Sequence, residues 1–229
     1  MNNPNPIPVT TVNADAILFD LDGVLIDSTT SIVQHWREWA EQHNLDLDFI
    51  LQNAHGMRTI ETMRIVAPHL NVEEESRRFT ANEITDTAGV VSIDGARPLL
   101  TALPPANWAI VTSCGMDLVK IRLSATGLPI PTVLITADDV QNGKPSPEPY
   151  LAGARRMGLS VDRCVVIEDA PAGILAGKKA GMRVIAIAST HPRQELLDSG
   201  ADFVVAKLQN LKVTQSNHQS RLTIHLEGE

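Results

Sequence analysis

Hydrophobic positions follow two patterns along the chain. In the first, a short unbroken apolar run stops abruptly at carboxylates or hydroxyls. Ala16-Ile17-Leu18-Phe19 runs into Asp20-Leu21-Asp22-Gly23, Trp108–Val111 into Thr112-Ser113, and Thr132–Ile135 into Thr136. Cys164–Ile167 runs into Glu168-Asp169, and Arg183–Ile187 into Ala188-Ser189. Runs of this length predict strands buried on both faces. Helix-length stretches lie between them at Arg97–Leu103, Met116–Ala125, Glu148–Met157 and Ala172–Ala180. Several close on Gly followed by an apolar residue (Gly127-Leu128, Gly158-Leu159, Gly181-Met182), a helix-ending pattern. The alternation predicts an α/β fold with a Rossmann-like, doubly wound parallel sheet. In such sheets ligands bind at the carboxyl ends of the strands, where the acids and hydroxyls have collected.

The second pattern occupies 29–92. Ile32, Trp36, Trp39 and Ala40 recur at helical spacing, as do Ile60, Met63, Val66 and Ala67, with Pro68 ending that helix. No convincing strand interrupts it, so this block predicts a helical insert between the first strand and the next. The resulting division is an N-terminal tail at 1–14, an α/β core at 15–28 and 93–229, and a helical unit at 29–92. Near the C-terminus, after Asp202–Val205, Leu222–Leu226 alternates like an edge strand. Trp36 and Trp39 are expected to pack the insert.

Composition narrows the classes. At roughly 150 residues per domain, 229 residues suit one sizeable core plus a smaller unit. The net charge of −8, from 19 Lys and Arg against 27 Asp and Glu, argues against a nucleic-acid binder. Aromatics at 3% disfavour a β-sandwich or an aromatic-lined groove. Cys114 and Cys164 cannot build a disulfide framework and are expected as small apolar fillers in a reducing compartment. No apolar run reaches the ~18 residues of a membrane span, and Met1–Asn13 lacks the features of a secretory signal. A cytoplasmic protein without membrane or nucleic-acid partners is expected, as a monomer or weak dimer. The histidines His35, His43, His69, His191, His218 and His225 show no metal-ligand spacing and are expected at the surface.

The chemistry concentrates at the strand ends. Asp20 and Asp22, followed by a turn-permitting Gly23, can approach one small volume if the backbone curls. Two neighbouring carboxylates repel unless a cation or shared proton relieves them. Mg²⁺, which takes few carboxylates plus water and phosphate oxygens, suits that site. Glu168 and Asp169 supply further ligands from another strand end. Thr112, Ser113 and Lys144 add the hydroxyls and the point charge that a phosphoryl group requires. Pro171 suits the first turn of a helix that would start just after Asp169.

Asp20–Leu25, Val111-Thr112-Ser113, Gly143-Lys144-Pro145 and Glu168–Gly173 together resemble the four ordered motifs of the haloacid dehalogenase superfamily. The likeness covers about residues 15–206, and the helical insert resembles that family's small cap. Within the superfamily the text is most similar to small sugar-phosphate and polyol-phosphate phosphatases, including hexitol-phosphate, glycerol-phosphate and deoxyglucose-phosphate hydrolases. The resemblance implies Asp20 as nucleophile and Asp22 as general acid and base. It implies Mg²⁺ held by the Asp20 carboxylate, the Asp22 main-chain carbonyl and Asp169, with Glu168 in support. It also implies Thr112 and Lys144 on the transferring phosphoryl group. His55 and Arg58, in the loop of the insert, would face the leaving group.

Rival readings share parts of this pattern. A sugar phosphomutase uses the same aspartyl-phosphate, but such mutases usually carry a His five residues after the first motif's final Asp. Counted from Asp27, Ile32 stands there. Asp22 counts against a dehalogenase. The absence of Lys from 29–92 counts against a phosphonoacetaldehyde hydrolase. A catalytically silent phosphate-binding module is the non-enzymatic alternative.

Overall fold

A computed structural model describes residues 10–215 and 221–227; the tail at 1–9 and His218 lie outside them. Six parallel strands form the central sheet: β2 (Ala16–Phe19), β5 (Trp108–Val111), β6 (Val133–Ile135), β7 (Cys164–Glu168), β8 (Arg183–Ile187) and β9 (Phe203–Val205). Their order is β6-β5-β2-β7-β8-β9, so the first of them in sequence sits centrally and the winding reverses beside it. That switch point lies at the end of β2, where Asp20 follows.

Strand alternation sorts the core into two layers. Ile17, Phe19, Val165, Ile167, Ile185 and Ile187 pack on one face with Leu100 and Leu123, from α5 (Ala96–Ala102) and α6 (Met116–Thr126). Ala16, Leu18, Val166, Val184 and Ala186 pack on the other with Tyr150, Ile174 and Leu196. Those three come from α7 (Glu148–Met157), α8 (Pro171–Lys179) and α9 (Arg193–Asp198). Gly127 and Gly158 end α6 and α7 in the left-handed conformation that their position after each helix predicts.

Two terminal expectations need correction. Part of the expected 1–14 tail is a strand, β1 (Thr10–Ala14), and Leu222–Leu226 (β11) is no edge. β11 lies between β1 and β10 (Leu211–Gln215) in an antiparallel three-stranded sheet. The alternate residues Val12, Ala14, Leu222, Ile224 and Leu226 are buried against the central sheet, which explains both strands.

Between β3 (Ile26–Asp27) and β4 (Val91–Ser92) lie four helices. They are α1 (Thr29–His43), α2 (Leu47–Ala54), α3 (Thr59–Val66) and α4 (Val72–Thr85). They share their own core of Trp36, Trp39, Ile50, Met63 and Phe79, as the helical spacing of the two tryptophans suggests. The expectation of no strand in 29–92 fails at its last two residues. Val91 and Ser92 pair antiparallel with Asp27 and Ile26, which joins the two chain crossings into the insert. His35 is also buried, contrary to a surface placement, because its Nδ1 reaches the Ser31 carbonyl at 2.8 Å and its ring meets Phe79. Among the described residues, no helix is long and apolar enough to cross a membrane.

Candidate active site

At the carboxyl ends of β2 and β7, Asp20, Glu168 and Asp169 are buried with carboxylate oxygens within 4.8 Å of one another. Lys144 enters this cluster from the loop before α7 and is itself buried. Its Nζ donates to Asp20 Oδ1 at 2.5 Å, Glu168 Oε1 at 2.7 Å and the Val111 carbonyl at 3.1 Å. Burial opposes the lysine charge, but Asp20 and Glu168 outweigh it and push its pKa above the ordinary lysine range. Burial likewise pushes Asp20 up to about 7, with Lys144 pulling down and Glu168 and Asp22 repelling. Asp169 is raised well above the usual carboxylate range, first by burial and then by Glu168 and Asp20. Full ionisation of three acids around one ammonium would leave excess buried negative charge, and the raised pKa values of Asp20 and Asp169 express that conflict.

Close backbone approach makes the cluster possible. Gly23 has φ +81°, and a Cβ there would meet Asp169 Oδ2 at 2.1 Å. At Gly173, in the first turn of α8, a Cβ would meet Glu168 Oε1 at 1.7 Å. Pro171 stands at the start of α8, as its sequence position suggests. Glu168 is thereby enclosed, and its Oε1 also accepts from Tyr150 Oη at 2.6 Å while Oε2 accepts from the Asp169 amide at 3.0 Å.

Asp22 sits apart from this group. Its Oδ1 accepts from Ser28 Oγ at 2.5 Å and Arg122 Nη1 at 2.7 Å, and its Oδ2 from Cys114 Sγ at 3.1 Å. Thr112 is buried at the end of β5, its hydroxyl accepting from the Cys114 amide at 3.1 Å. Asp20, Asp22, Thr112, Ser113 and Asp169 all line one cavity of about 340 Å³ between sheet and insert, together with His55 and Arg58.

Three residues expected to face a ligand already have protein partners. Ser113 Oγ donates to the Gly56 carbonyl at 2.8 Å, joining the core to the insert. Arg58 donates to Gln141 O at 2.8 Å, Val140 O at 3.3 Å and Glu61 Oε1 at 2.5 Å. His55 Nδ1 lies 2.9 Å from the Leu51 carbonyl, and its ring stands edge-on to His191 at 5.1 Å.

Several residues at the site were not singled out from the sequence. Thr190 donates to Asp169 Oδ2 at 2.5 Å and Ser189 to the Gly23 carbonyl at 2.6 Å; hydroxyls just past β8 were the available signal. Tyr150 is the chain's one tyrosine, and a buried phenol calls for a polar partner. His191 is half-buried beside Asp169 rather than at the surface, and burial together with His55 lowers its pKa. Cys114 packs against the apolar core as expected, and its thiol also reaches Asp22. Arg122, in mid-helix, gave no signal.

The chain belongs to the haloacid dehalogenase-like hydrolase family, whose model matches residues 17–187. Hexitol phosphatase A of Escherichia coli is 39% identical over 203 residues, covering 86% of this chain and 93% of the relative. Glycerol-1-phosphate phosphohydrolase 2 of Saccharomyces cerevisiae is 36% identical over 222 residues, covering 91% and 88%. The crystal structure of a hydrolase from Pseudomonas syringae superposes with a TM-score of 0.73 at 28% identity, covering 85% of this chain and 94% of that one.

Proposed function

We propose that this chain, a phosphoric monoester hydrolase, releases phosphate from a small phosphorylated sugar or sugar alcohol through an aspartyl-phosphate on Asp20. The observation that carries this reading is the buried Asp20–Lys144–Glu168–Asp169 cluster, whose Asp20 and Asp169 line a cavity of about 340 Å³. The relatives named for hexitol and glycerol phosphates supply the substrate class.

Asp20 would attack phosphorus in line as the bond to the alcohol oxygen breaks, a covalent route open to a carboxylate. Asp22 would give its carboxyl proton to the departing alkoxide. As carboxylate it would then take a proton from water, whose oxygen attacks phosphorus and releases Asp20. Lys144 and Thr112 would hold the phosphoryl group, and Ser113 would add its backbone amide. The donor set fits a divalent cation, because the buried acids exceed their one lysine partner. Asp20, Asp169 and the Asp22 main chain would hold Mg²⁺, with Glu168 behind them positioning Lys144. Bound there, Mg²⁺ supplies charge that offsets the phosphoryl oxygens. The helical insert would act as the cap that selects the leaving group and excludes water.

The test is phosphate release from a panel of hexitol, hexose, pentose and glycerol phosphates, with Mg²⁺ and with a chelator. Turnover should require Mg²⁺, and Asp20→Asn should reduce it on the order of 10⁴-fold or more while circular dichroism stays unchanged. Retained turnover in Asp20→Asn removes the nucleophile assignment. No release from any ester favours the silent binding module, and an isomeric sugar phosphate as product favours the mutase.

A further inference from the structure

We infer that Arg122, held between Asp22 of the core and Glu83 of the helical insert, is the positioning residue of the general acid. The inference rests on the reading of Asp22 given above. Arg122 projects from α6 and is 2% exposed. Its Nη1 donates to Asp22 Oδ1 at 2.7 Å and its Nη2 to Glu83 Oε1, on α4, at 3.2 Å. A guanidinium withdrawn from water requires carboxylate partners. This one has a partner on each side of the boundary between core and insert.

The hydrogen bonds also separate the two Asp22 oxygens. Oδ1 receives both strong donors, Arg122 Nη1 and Ser28 Oγ. Oδ2 meets the Cys114 thiol alone among the described contacts, a weak donor and a weak acceptor. A proton carried by Asp22 therefore belongs on Oδ2, and Arg122 fixes the plane in which Oδ2 is presented. Arg122 also touches Cys114 Sγ at 3.2 Å, so it braces that side as well. In the reaction the proton passes from Asp22 to the alkoxide as the P–O bond breaks. The guanidinium stays charged throughout and transfers nothing. Glu83 holds the second arm of the fork, so the orientation of the acid depends on where the insert sits.

The measurement is the single-turnover rate of phosphoenzyme formation from two esters. Nitrophenolate leaves p-nitrophenyl phosphate without a proton, whereas the alkoxide of glycerol phosphate needs one. Arg122→Met should slow the alkyl ester about 100-fold, the scale of general acid catalysis, and the aryl ester less than about 3-fold. Glu83→Gln should show the same selectivity at about 5- to 10-fold, and it decides the matter alone if Arg122→Met does not fold. Equal losses on both esters, or none, overturn the assignment. Asp22→Asn on the same pair is the control. A selective loss there with no selectivity in Arg122→Met or Glu83→Gln overturns the positioning role alone. No selectivity in Asp22→Asn overturns the acid beneath it. If the wild type attacks no alkyl phosphate, the proposed function falls with it.

Discussion

Two buried charge clusters meet at the cavity, and they are built differently. Around Lys144 every partner belongs to the core: Asp20 and Glu168 stand at strand ends, and the Val111 carbonyl is strand backbone. Around Arg122 the partners are divided, with Asp22 in the core and Glu83 on a helix of the insert. The first cluster is fixed by the hydrogen-bonded sheet and cannot shift without disturbing it. The second changes whenever the insert changes position. On the proposed reading, the groups that would hold a phosphoryl centre sit on the sheet side, and the group that would meet a variable leaving oxygen is tied to the insert.

The largest test of this contrast removes the centre of the rigid cluster. Lys144→Met leaves Glu168 buried with Tyr150 as its remaining side-chain donor and Asp20 without its ammonium. Breaking a buried pair from one side costs about 3–5 kcal/mol. Urea unfolding should register a loss of that size, and phosphate release should fall on the order of 10³-fold or more. An unchanged urea midpoint would show that the cluster contributes no more to the fold than an exposed pair.

The same division governs what was legible in the sequence. Lys144, in the Gly143-Lys144-Pro145 loop, was marked by the family resemblance. The acids of its cluster could be read because they stand at the ends of apolar runs, and parallel strands bring such ends together. The sheet, its flanking helices and the packing role of Trp36 and Trp39 were legible for the same reason, since periodicity records burial. In the Arg122 cluster only Asp22 could be read; Arg122 and Glu83 could not. Those two lie on helices where a charged residue ordinarily faces water, and only the docking of α4 on α6 buries them. At Arg58 the cavity position was legible and its protein partners were not: it lines the cavity, but Val140 and Gln141 lie about 80 positions away. β1 escaped because five residues with two inward positions carry little signal until β11 is set beside them.

A smaller effect separates the clusters by proton linkage. In the metal-free fold burial pushes the Asp20 carboxyl up to about 7, against 3.8 for a free aspartate. Metal-free, the native state therefore binds more protons than the unfolded chain between those values. The stabilisation from Asp20 is full below about 3.8 and is lost as pH rises through 7. Asp169 acts in the same direction. A cation that replaces those protons should restore the loss, so MgCl₂ should raise the melting midpoint more at pH 8 than at pH 6. The difference should be a few degrees, since about 1 kcal/mol moves a chain of this size by roughly 2–4 °C. Asp169→Asn should remove most of it. An equal shift at both pH values would mean that the ion displaces no proton from this cluster.

The smallest effect concerns the clasp by which the insert grips the rigid side. Arg58 holds Gln141 O and Val140 O, while Glu61 Oε1 accepts from the Gly143 amide at 3.0 Å, next to Lys144. The clasp is not saturated, because Arg58 Nε and Glu61 Oε2 are buried without a hydrogen-bond partner among the described residues. Arg58→Met would remove the arginine contacts to 140–141 and leave the glutamate contact in place. If Arg58 acts by holding the insert down, KM should rise about 3- to 10-fold with kcat little changed, equally for glycerol phosphate and a hexitol phosphate. If its free Nε instead reaches a substrate hydroxyl, the hexitol ester should suffer more, because it offers hydroxyls that glycerol lacks. The ratio of the two KM changes thus decides whether this loop discriminates among substrates or only closes over them. A ratio near one would shift selection of the leaving group toward α1 and α4, whose Trp36, Ser76, Thr80 and Glu83 also line the cavity.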